Sequence, residues 1–451
     1  MNGNEILPRK EEHRNFLLFS GLDGAGYLYE NIFGTIHKKC ENTDNLESGL
    51  RGLMAGERKF SFGKEVIGQR LSSLDTLVLN ATEDCNLRCR YCIYSGSYEN
   101  ERVHSNNGMP VETAKKAVDL FLKDSKRDPY IMFYGGEPIR NMRLVEYVAE
   151  LTKSHPKNPK YGMTTNLTLA EKYLNYLMSN DFMLTVSLDG PRHLHDRWRV
   201  TKRGSPTFDT VYDNLQRICG LSKDYFLSKV ALSVTMPETG NIREVKDFFE
   251  RDSLLSGLPL RIQAIEPNEG IIRSNRAGEQ EFWEMARGYG DKIAQGRMPT
   301  NFEKAMFDGQ LNRIYSRKVG RIEGAMHPPG MCVPGARKVF VGTDGGFHMC
   351  EKLGTRVPIG SVETGLEKEK AADALSQYCR IKDEVCQDCW AYRECTSCAA
   401  SAKSGDGISV YGQKANCDRL KQPIVTGLAI YSYVLGHGGK NRMESYFKEW
   451  R

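Results

Sequence analysis

The chain has 451 residues, of which 40% are hydrophobic and 27% are charged, and its formal net charge is +6. This length predicts roughly two to four domains, and the composition predicts a soluble, globular protein rather than a disordered one. The weak basic excess lies well below that of a dedicated nucleic-acid binder, so no nucleic-acid partner is predicted. Thirteen cysteines, an odd number in a long chain, argue against a fully paired disulfide scaffold.

The N-terminal region shows no targeting segment. Residues 1–14 are polar and lack the apolar core of a signal peptide. The longest apolar-leaning stretch, Ile424 to Leu435, is too short to span a bilayer. We therefore predict a cytoplasmic protein with no membrane partner. In that reducing compartment the cysteines are expected to be metal ligands or catalytic groups.

The first predicted elements form a small α+β module. FLLF (16–19) and YLYE (27–30) flank the turn GLDGAG and predict a β-hairpin. Helices are predicted near Asn31 to Cys40 and around Asn45 to Met54.

From residue 76 onward, short β-rich runs alternate with longer amphipathic stretches. The six runs are TLVLN (76–80), YIMFYG (130–135), GMTTNL (162–167), MLTVSLD (183–189), VALSVTM (230–236) and LRIQAIEP (260–267). Helical patterns lie between them, for example Val111 to Lys123 and Leu144 to Lys153. This alternation predicts parallel βα units in an open sheet or a barrel, with strands buried on both faces. Residues 268–325 are predicted to be mainly helical.

A group of cysteines, Cys85, Cys89 and Cys92, follows the first predicted strand with the spacing C-x3-C-x2-C. Three thiolates on one loop can hold three irons of a [4Fe–4S] cube and leave the fourth iron for an outside ligand. Zinc is the alternative interpretation, but a structural zinc site needs four ligands. The nearest histidine, His104, lies twelve residues beyond Cys92.

This loop resembles the signature of the radical SAM enzymes, C-x3-C-x-aromatic-C, and Tyr91 fills the aromatic position. Further segments match the family in the same order along the chain. The resemblance implies that the three cysteines are catalytic ligands of a [4Fe–4S] cluster that binds S-adenosylmethionine, with Tyr91 at the cofactor. It also implies a partial (β/α)6 barrel over about residues 75–300, with its chemistry at the C-terminal ends of the strands.

The second predicted strand ends in a segment similar to the family's GGEP motif. This motif comprises Gly135, Gly136, Glu137 and Pro138. The resemblance implies that the backbone and Glu137 hold the amino group of S-adenosylmethionine. An ammonium beside a carboxylate and free carbonyl groups is a favourable arrangement.

Three further cofactor contacts are implied at the later strands. Asn166 belongs to a segment resembling the family's TNG, although Leu167 replaces its glycine. Ser187 ends the fourth strand, and Arg199 follows twelve residues later. In similar enzymes this serine and arginine contact the ribose and the methionine carboxylate, which arginine can bind with two parallel hydrogen bonds. The alternative for Arg199 is a surface residue in a charged run, and Asp189 is expected to shape the turn.

A second group of cysteines lies within the last 120 residues. Seven of them resemble the SPASM extension of radical SAM enzymes, except that two residues rather than three precede Cys398. The resemblance implies two auxiliary [4Fe–4S] clusters. One would be ligated by Cys386, Cys389, Cys395 and Cys417. The other would be held by Cys332, Cys350 and Cys398. Its fourth position is either open or filled by the eighth cysteine, Cys379, and a pair of zinc sites is the alternative.

Three other residues complete the set of candidates. Glu351 occupies the position where sulfatase-maturing relatives carry a carboxylate beside the cluster, so it is either a catalytic base or a solvated surface residue. Cys40 and Cys219 lie in apolar, helix-like stretches and are predicted to be small buried hydrophobic residues.

The resemblance implies a radical SAM peptide maturase. Such an enzyme cleaves S-adenosylmethionine to a 5′-deoxyadenosyl radical, which takes a hydrogen atom from a peptide residue. The segment FHMCEK (347–352) also resembles thioether-forming maturases, the sactipeptide and ranthipeptide synthases. We therefore predict a thioether crosslink in a ribosomally made, Cys-rich peptide. The alternatives are formylglycine formation in sulfatases, carbon–carbon crosslinking or epimerisation, and, in another class, a non-catalytic zinc-binding interaction protein.

The implied partners are a Cys-rich precursor peptide with a leader and a reduced flavodoxin- or ferredoxin-type electron donor. Residues 1–74 would either recognise the leader by adding it as a strand or pack on the barrel as an embellishment. The predicted domains are thus 1–74, a barrel over 75–300, a bridge over 301–330, and an auxiliary-cluster domain with its tail over 331–451.

Overall fold

The computed structural model describes residues 10–39, 41–52, 74–98, 101–125, 128–236, 239–264, 276–321 and 327–448. These residues form an α/β protein with one ten-stranded sheet, one four-stranded sheet and one two-stranded sheet. The α/β class expected from the alternating strands and helices is confirmed.

The N-terminal residues form a four-stranded antiparallel sheet in the order β1-β2-β3-β4. Its strands are β1 (Lys10–Glu12), β2 (Phe16–Ser20), β3 (Gly26–Glu30) and β4 (Thr35–Lys38). The predicted hairpin is confirmed, since Phe16 lies opposite Glu30 and Ser20 opposite Gly26. Helix α1 (Glu41–Gly52) follows the sheet and covers the described part of the second predicted helix.

The helix predicted near Asn31 to Cys40 is wrong, because residues 31–34 form a turn and the chain continues as β4. The buried Glu30 carboxylate accepts hydrogen bonds from the N–H groups of Phe33 at 2.9 Å and Thr35 at 3.0 Å. These bonds satisfy backbone donors in the turn, which a count of apolar spacing does not detect. Cys40 lies outside the described residues.

The large sheet contains the six predicted strands as parallel neighbours in chain order. They are β5 (Thr76–Thr82), β6 (Tyr130–Gly135), β7 (Lys160–Thr165), β8 (Met183–Ser187), β9 (Val230–Met236) and β10 (Leu260–Ala264). The predicted partial (β/α)6 barrel is therefore confirmed, while residues 265–267 of the sixth run lie outside the described residues. Parallel strands in this order bring six carboxyl ends to one edge of the sheet.

Helices connect these strands and bury one face against the sheet. They are α2 (Val111–Asp124), α3 (Met142–Thr152), α4 (Leu174–Ser179), α5 (Arg192–Trp198), α6 (Phe208–Leu221), α7 (Lys223–Lys229) and α8 (Ile242–Arg251). In α2 the buried residues Ala114, Ala117, Val118, Phe121 and Leu122 follow the helical period. The two helical patterns singled out from the sequence therefore match α2 and α3 closely.

Four C-terminal strands extend the same sheet beyond β5. They are β11 (Lys338–Val341), β12 (Gly346–His348), β13 (Pro358–Ser361) and β14 (Gly365–Leu366). Strand β11 pairs with β5 in parallel, and the other three add in antiparallel order. The start of the cysteine-rich segment is thus joined to the barrel by backbone hydrogen bonds.

The remaining helices cover this assembly. They are α9 (Arg276–Gln295), α10 (Asn301–Tyr315), α11 (Lys368–Cys386), α12 (Val410–Gly436) and α13 (Lys440–Lys448), and β15 (Lys403–Ser404) pairs with β16 (Gly407–Ile408). The apolar stretch near residue 430 lies within α12, where a Cβ on Gly427 would stand 2.5 Å from the carbonyl oxygen of Gln310 in α10. Glycine therefore permits this close helix contact. Among the described helices, none combines the length and the apolar composition needed to cross a bilayer.

Candidate functional site

The first cysteine loop, residues 83–92, follows β5 and is fixed to the segment that carries Arg199. The Arg88 N–H donates to Val200 O at 2.7 Å, and the Arg90 N–H donates to Trp198 O at 2.9 Å. Asp84 adds ion pairs with Arg140 and, at 2.9 Å, with Lys202. These hydrogen bonds and ion pairs hold the loop over the carboxyl ends of the strands.

Two glycines allow the loop and the end of β6 to meet. Gly135 has φ of +142°, and a Cβ there would stand 2.2 Å from Thr82 O. A Cβ on Gly136 would stand 2.2 Å from Asp84 O. The Gly136 N–H donates to Thr82 O at 2.7 Å, so the two segments pair directly. Any larger side chain at either glycine would push the cysteine loop away from Glu137.

The Glu137 carboxylate is buried and held by three donors. Oε1 accepts from Thr165 Oγ1 at 2.7 Å and from the N–H of Ile139 at 3.2 Å, while Oε2 accepts from the N–H of Asn166 at 2.7 Å. Burial raises its pKa to about 7 despite these hydrogen bonds and the nearby Arg199. A carboxylate has about four acceptor positions, so it retains capacity for a cationic ligand. Pro138, the last residue of the motif, is buried and begins a short 3-10 turn.

Asn166 connects the motif after β7 with the cysteine loop. Its amide Nδ2 lies 3.8 Å from the Sγ of Cys85 and 3.0 Å from Oδ1 of Asn86. The following Leu167, which replaces the family's glycine, is fully buried and has φ of +60°. The backbone therefore keeps a conformation that suits glycine, although the side chain has changed.

The segment after β8 positions a buried arginine. Arg199 donates through Nε to Asp189 Oδ2 at 2.8 Å, and its guanidinium lies 5.4 Å from the centre of the Tyr91 ring. The Tyr91 hydroxyl donates to the same oxygen of Asp189. Arg199 is only 7% exposed, so its interpretation as a surface residue is wrong. Asp189 Oδ1 also accepts from the Thr235 N–H at 3.0 Å, so this carboxylate ties the segment to β9 and orients Arg199.

These residues enclose one cavity of about 470 Å³, a volume that suits a small-molecule cofactor. Each of the six parallel strands contributes to its wall, from Cys85 after β5 to Gln263 in β10. The predicted residues brought together here are Cys85, Cys89, Tyr91, Cys92, Gly135, Gly136, Glu137, Asn166, Ser187 and Arg199.

The sequence patterns missed several residues of this cavity. Thr235 and Gln263 line it from β9 and β10, and both could have been found as polar residues near strand ends. Lys352, Lys403 and Arg419 line it from the C-terminal region. No motif marks these cations, because only the fold brings the C-terminal region against the mouth of the barrel.

The three thiols of the loop fit a [4Fe–4S] cluster. Cys85 Sγ accepts a hydrogen bond from the Leu87 N–H at 3.4 Å, besides the contact with Asn166, and cluster sulfurs accept such bonds. Burial raises the pKa values of Cys85 and Cys89 to about 12, so metal binding would displace protons from them. Among the described residues, no group of His, Cys, Asp or Glu is arranged to hold a single metal ion. In a cube each thiolate binds its own iron, so the sulfurs need not converge.

In the C-terminal region, one set of four cysteines surrounds a buried lysine. The thiol of Cys386 interacts electrostatically with those of Cys395 and Cys417, and the thiol of Cys389 interacts with those of Cys386 and Cys395. Lys382 lies among them. These four are the residues predicted to ligate one auxiliary cluster. Cys386 ends α11, Cys389 and Cys395 follow it, and Cys417 lies within α12.

Two cysteines of a second set lie beside an ion pair. Cys332 interacts with Cys398, and both Cys332 and Cys350 lie beside the pair formed by Lys338 and Glu351. Lys338 Nζ donates to both oxygens of Glu351, at 3.0 and 2.7 Å. Glu351 is therefore next to this second set rather than among the residues that line the 470 Å³ cavity.

The two remaining described cysteines are apart from both sets. Cys379 is buried in α11, and the charged groups that act on its thiol are Asp383 and Arg380 of the same helix. Cys219 is half-buried in α6 and packs against the main core. All twelve described cysteines are free thiols.

Comparison with known proteins relates this chain to radical SAM enzymes. The sequence model of the Radical SAM superfamily matches residues 79–250. The chain is 31% identical over 183 residues to the cysteine-type anaerobic sulfatase-maturating enzyme of Clostridium perfringens, a match that covers 39% of this chain and 48% of that protein. It is 27% identical over 137 residues to the serine-type anaerobic sulfatase-maturating enzyme of Bacteroides thetaiotaomicron, covering 29% and 33% respectively. The chain therefore spans about half the length of the first relative and about a third of the second.

The fold also matches a solved structure. Native anSMEcpe with bound AdoMet and Kp18Cys peptide superposes with a TM-score of 0.57 at 20% identity, over 79% of this chain and 99% of that one. At this identity the likeness shows a shared fold. The sequence match begins in β5 and covers the cysteine loop and most of the residues that line the cavity. The chain therefore contains a radical SAM domain, which implies a [4Fe–4S] cluster and S-adenosylmethionine as cofactors.

Proposed function

We propose that this protein is a peptide maturase that joins a cysteine sulfur to a carbon of another residue in a ribosomally made, Cys-rich peptide. The observation that carries the proposal is the second set of cysteines, in which Cys332 interacts with Cys398 and lies with Cys350 beside the ion pair of Glu351. Cys379 stands apart, because the charged groups that act on its thiol belong to its own helix. A cluster held by three thiolates has one iron open to an outside ligand. A substrate thiolate is suited to that position.

The barrel residues hold the cofactor in this scheme. Cys85, Cys89 and Cys92 ligate the first cluster, Glu137 takes the ammonium of S-adenosylmethionine, and Arg199 takes its carboxylate. Ser187 and Asn166 complete the contacts at the strand ends, and together these residues orient the cofactor in the cavity. When bound, the cluster and S-adenosylmethionine supply the radical that abstracts a hydrogen atom.

The proposed reaction balances in atoms and electrons. One hydrogen leaves the substrate carbon and becomes part of 5′-deoxyadenosine, and the substrate thiol gives up its proton on becoming the thiolate that forms the carbon–sulfur bond. Glu351, fixed by Lys338 beside the three-cysteine set, is placed to accept that proton. One electron enters through the first cluster, and one leaves the substrate for an acceptor, the role proposed for an auxiliary cluster.

The partners follow from this function. A reduced flavodoxin or ferredoxin would supply the electron, and residues 1–74 would bind the leader of the precursor peptide. In the described part of this segment, β4 pairs with β3 on one side, and no strand is described on its other side. An extended leader could add there as a fifth strand. The four-domain division and a cytoplasmic location stay predictions.

A second candidate is formylglycine formation in a sulfatase, favoured by the 31% identity with the Clostridium perfringens enzyme. Both reactions begin with hydrogen abstraction, so the barrel residues serve either one. They differ in the fate of the substrate sulfur.

Mass spectrometry of a co-expressed peptide would distinguish the two functions. The peptide would be one that a short open reading frame beside the gene encodes, and it would be rich in cysteine. A thioether removes two hydrogens per crosslink and leaves the linked cysteine resistant to alkylation. Formylglycine made from cysteine loses its sulfur and reacts with a hydrazide, and when made from serine it leaves every cysteine alkylatable. A peptide that loses two hydrogens but keeps all its thiols would refute thioether formation.

A further inference from the structure

Lys382 is a buried cation inside the first C-terminal cysteine set. Lys382 is 0% exposed, and its Nζ donates to Ser397 Oγ at 2.8 Å. Lys382 stands one helical turn before Cys386 in α11, on the same face, and hydrogen-bonds to that thiol. Burial of an ammonium is unfavourable unless nearby groups compensate its charge.

Besides the Ser397 hydroxyl, three thiols act on this ammonium. Cys386, Cys389 and Cys395 all act on Lys382 electrostatically. The Ser397 N–H donates to Cys395 Sγ at 3.4 Å, so one residue links the lysine and a proposed ligand. Thiols compensate a positive charge only as thiolates, which is the form that binds metal.

A second lysine near the same set provides a natural contrast. Lys421 of α12 acts on Cys389, but it is partly exposed and donates to the Glu12 carboxylate at 2.6 Å. Its charge is therefore compensated by a carboxylate and screened by solvent. Lys382 is instead fully buried, and the groups that act on it are the proposed ligands.

We infer that Lys382 is the built-in counter-charge and N–H···S donor of the cluster held by Cys386, Cys389, Cys395 and Cys417, and that it raises the reduction potential of that cluster. The inference rests on the auxiliary cluster of the proposed function. Reduction adds one negative charge to a thiolate-bound cluster, and a fixed cation a short distance away in a low dielectric stabilises that added charge. Lys382 is a positioning residue that makes this site a better electron acceptor.

The test is a redox titration of the full-length, anaerobically reconstituted protein, followed by electron paramagnetic resonance. A Cys386→Ala variant identifies the signal of this cluster. In Lys382→Met, which keeps the volume and loses the charge, the potential should shift to more negative values. Lys382→Gln keeps N–H donors and should shift it less. The matched control Lys421→Met should stay near the wild-type value. Equal potentials in wild type and Lys382→Met, or an equal shift in Lys421→Met, would overturn the inference.

Other outcomes separate this inference from the proposed function. If Cys386→Ala retains the wild-type iron and sulfide content, the auxiliary cluster and the role of Lys382 are both wrong, although S-adenosylmethionine cleavage persists. If Cys386→Ala loses iron but Lys382→Met keeps the wild-type potential, only the role of Lys382 is wrong. If both Lys382 variants fold and cleave S-adenosylmethionine but lose this cluster, while Lys421→Met retains it, the counter-charge is required for assembly and the inference stands.

Discussion

Leu167 is a buried leucine whose backbone adopts a conformation that favours glycine. Its φ of +60° is left-handed, its side chain is 0% exposed, and its carbonyl accepts from Asn214 Nδ2 at 2.9 Å. Left-handed backbone costs a non-glycine residue about 1–2 kcal/mol. Packing of the leucine side chain therefore has to offset that strain.

We expect Leu167→Gly to lower the free energy of unfolding by about 1–4 kcal/mol, measured by urea denaturation. Glycine would relieve about 1–2 kcal/mol of backbone strain, but loss of the buried leucine side chain costs about 2–5 kcal/mol, so the net effect is destabilising. Leu167→Ala is the control, because it loses the packing but keeps the strain, and it should be at least as unstable. A glycine variant more stable than wild type would contradict this expectation.

Glu137 predicts how cofactor affinity depends on pH. Its pKa, raised by burial from the ordinary 4.5 to about 7, means that the carboxyl is mostly protonated below that pH. In the protein without cofactor, the free energy of unfolding should fall as pH rises from about 4.5 to about 7, because the unfolded state loses this proton first.

S-adenosylmethionine affinity should consequently weaken as pH falls through about 7, approaching a tenfold loss per pH unit. Isothermal titration calorimetry would measure this dependence below about pH 7, because the ligand's own α-amino group has a pKa of about 8 and would complicate the data at higher pH. Glu137→Gln should bind weakly with a flat acid limb. An unchanged acid limb in that variant would show that Glu137 does not hold the ammonium.

Among the elements, Arg393 joins the N-terminal sheet to the cysteine-rich loop. This arginine is 7% exposed and donates to four carbonyl oxygens, those of Asn31, Ile32, Lys318 and Gly320. Asn31 in turn donates through Nδ2 to Cys389 O at 2.8 Å. The turn that replaced the predicted helix therefore supports the loop that carries Cys389.

Arg393→Met should lower the free energy of unfolding by about 2–4 kcal/mol, because it leaves several buried carbonyl groups without their charged donor. Hydrogen exchange should show the loss of protection concentrated in residues 26–38 and in the loop after α11. Arg393→Lys, which keeps the charge but has fewer donors, should fall between wild type and Arg393→Met. Uniform loss of protection across the barrel would argue against a local junction.

For the whole molecule, the number of metal sites follows from how the cysteines group. Three sets, each proposed to hold a [4Fe–4S] cube, predict about twelve irons per chain with matching sulfide after anaerobic reconstitution. Replacing Cys85, Cys89 and Cys92 by alanine should remove about four irons and abolish cleavage of S-adenosylmethionine, measured as 5′-deoxyadenosine. Persistent cleavage would refute their role. Two or more zincs with no iron in the wild type would instead favour the non-catalytic zinc-binding protein.

Much of the barrel and its site could be predicted because local signals there agree with the fold. Strands β5 to β10 are short apolar runs in chain order, and parallel pairing in that order sends Cys85, Gly136, Asn166 and Ser187 to one edge. Sequence order and spatial order coincide in such a sheet. The spacing of three cysteines then marks which edge carries the chemistry.

Contacts between distant segments could not be predicted in this way. Lys352, Lys403 and Arg419 reach the cavity only because β11 pairs with β5 and carries the C-terminal region to the barrel mouth. Cys379 also stays apart from the three-cysteine set, because the charged groups that act on its thiol lie in its own helix, α11. The cysteine pattern alone was enough to indicate a radical SAM domain, since the three cysteines of its ligand loop are local. Which thiols share a site, and which buried cation faces them, is decided by packing between elements far apart in the chain.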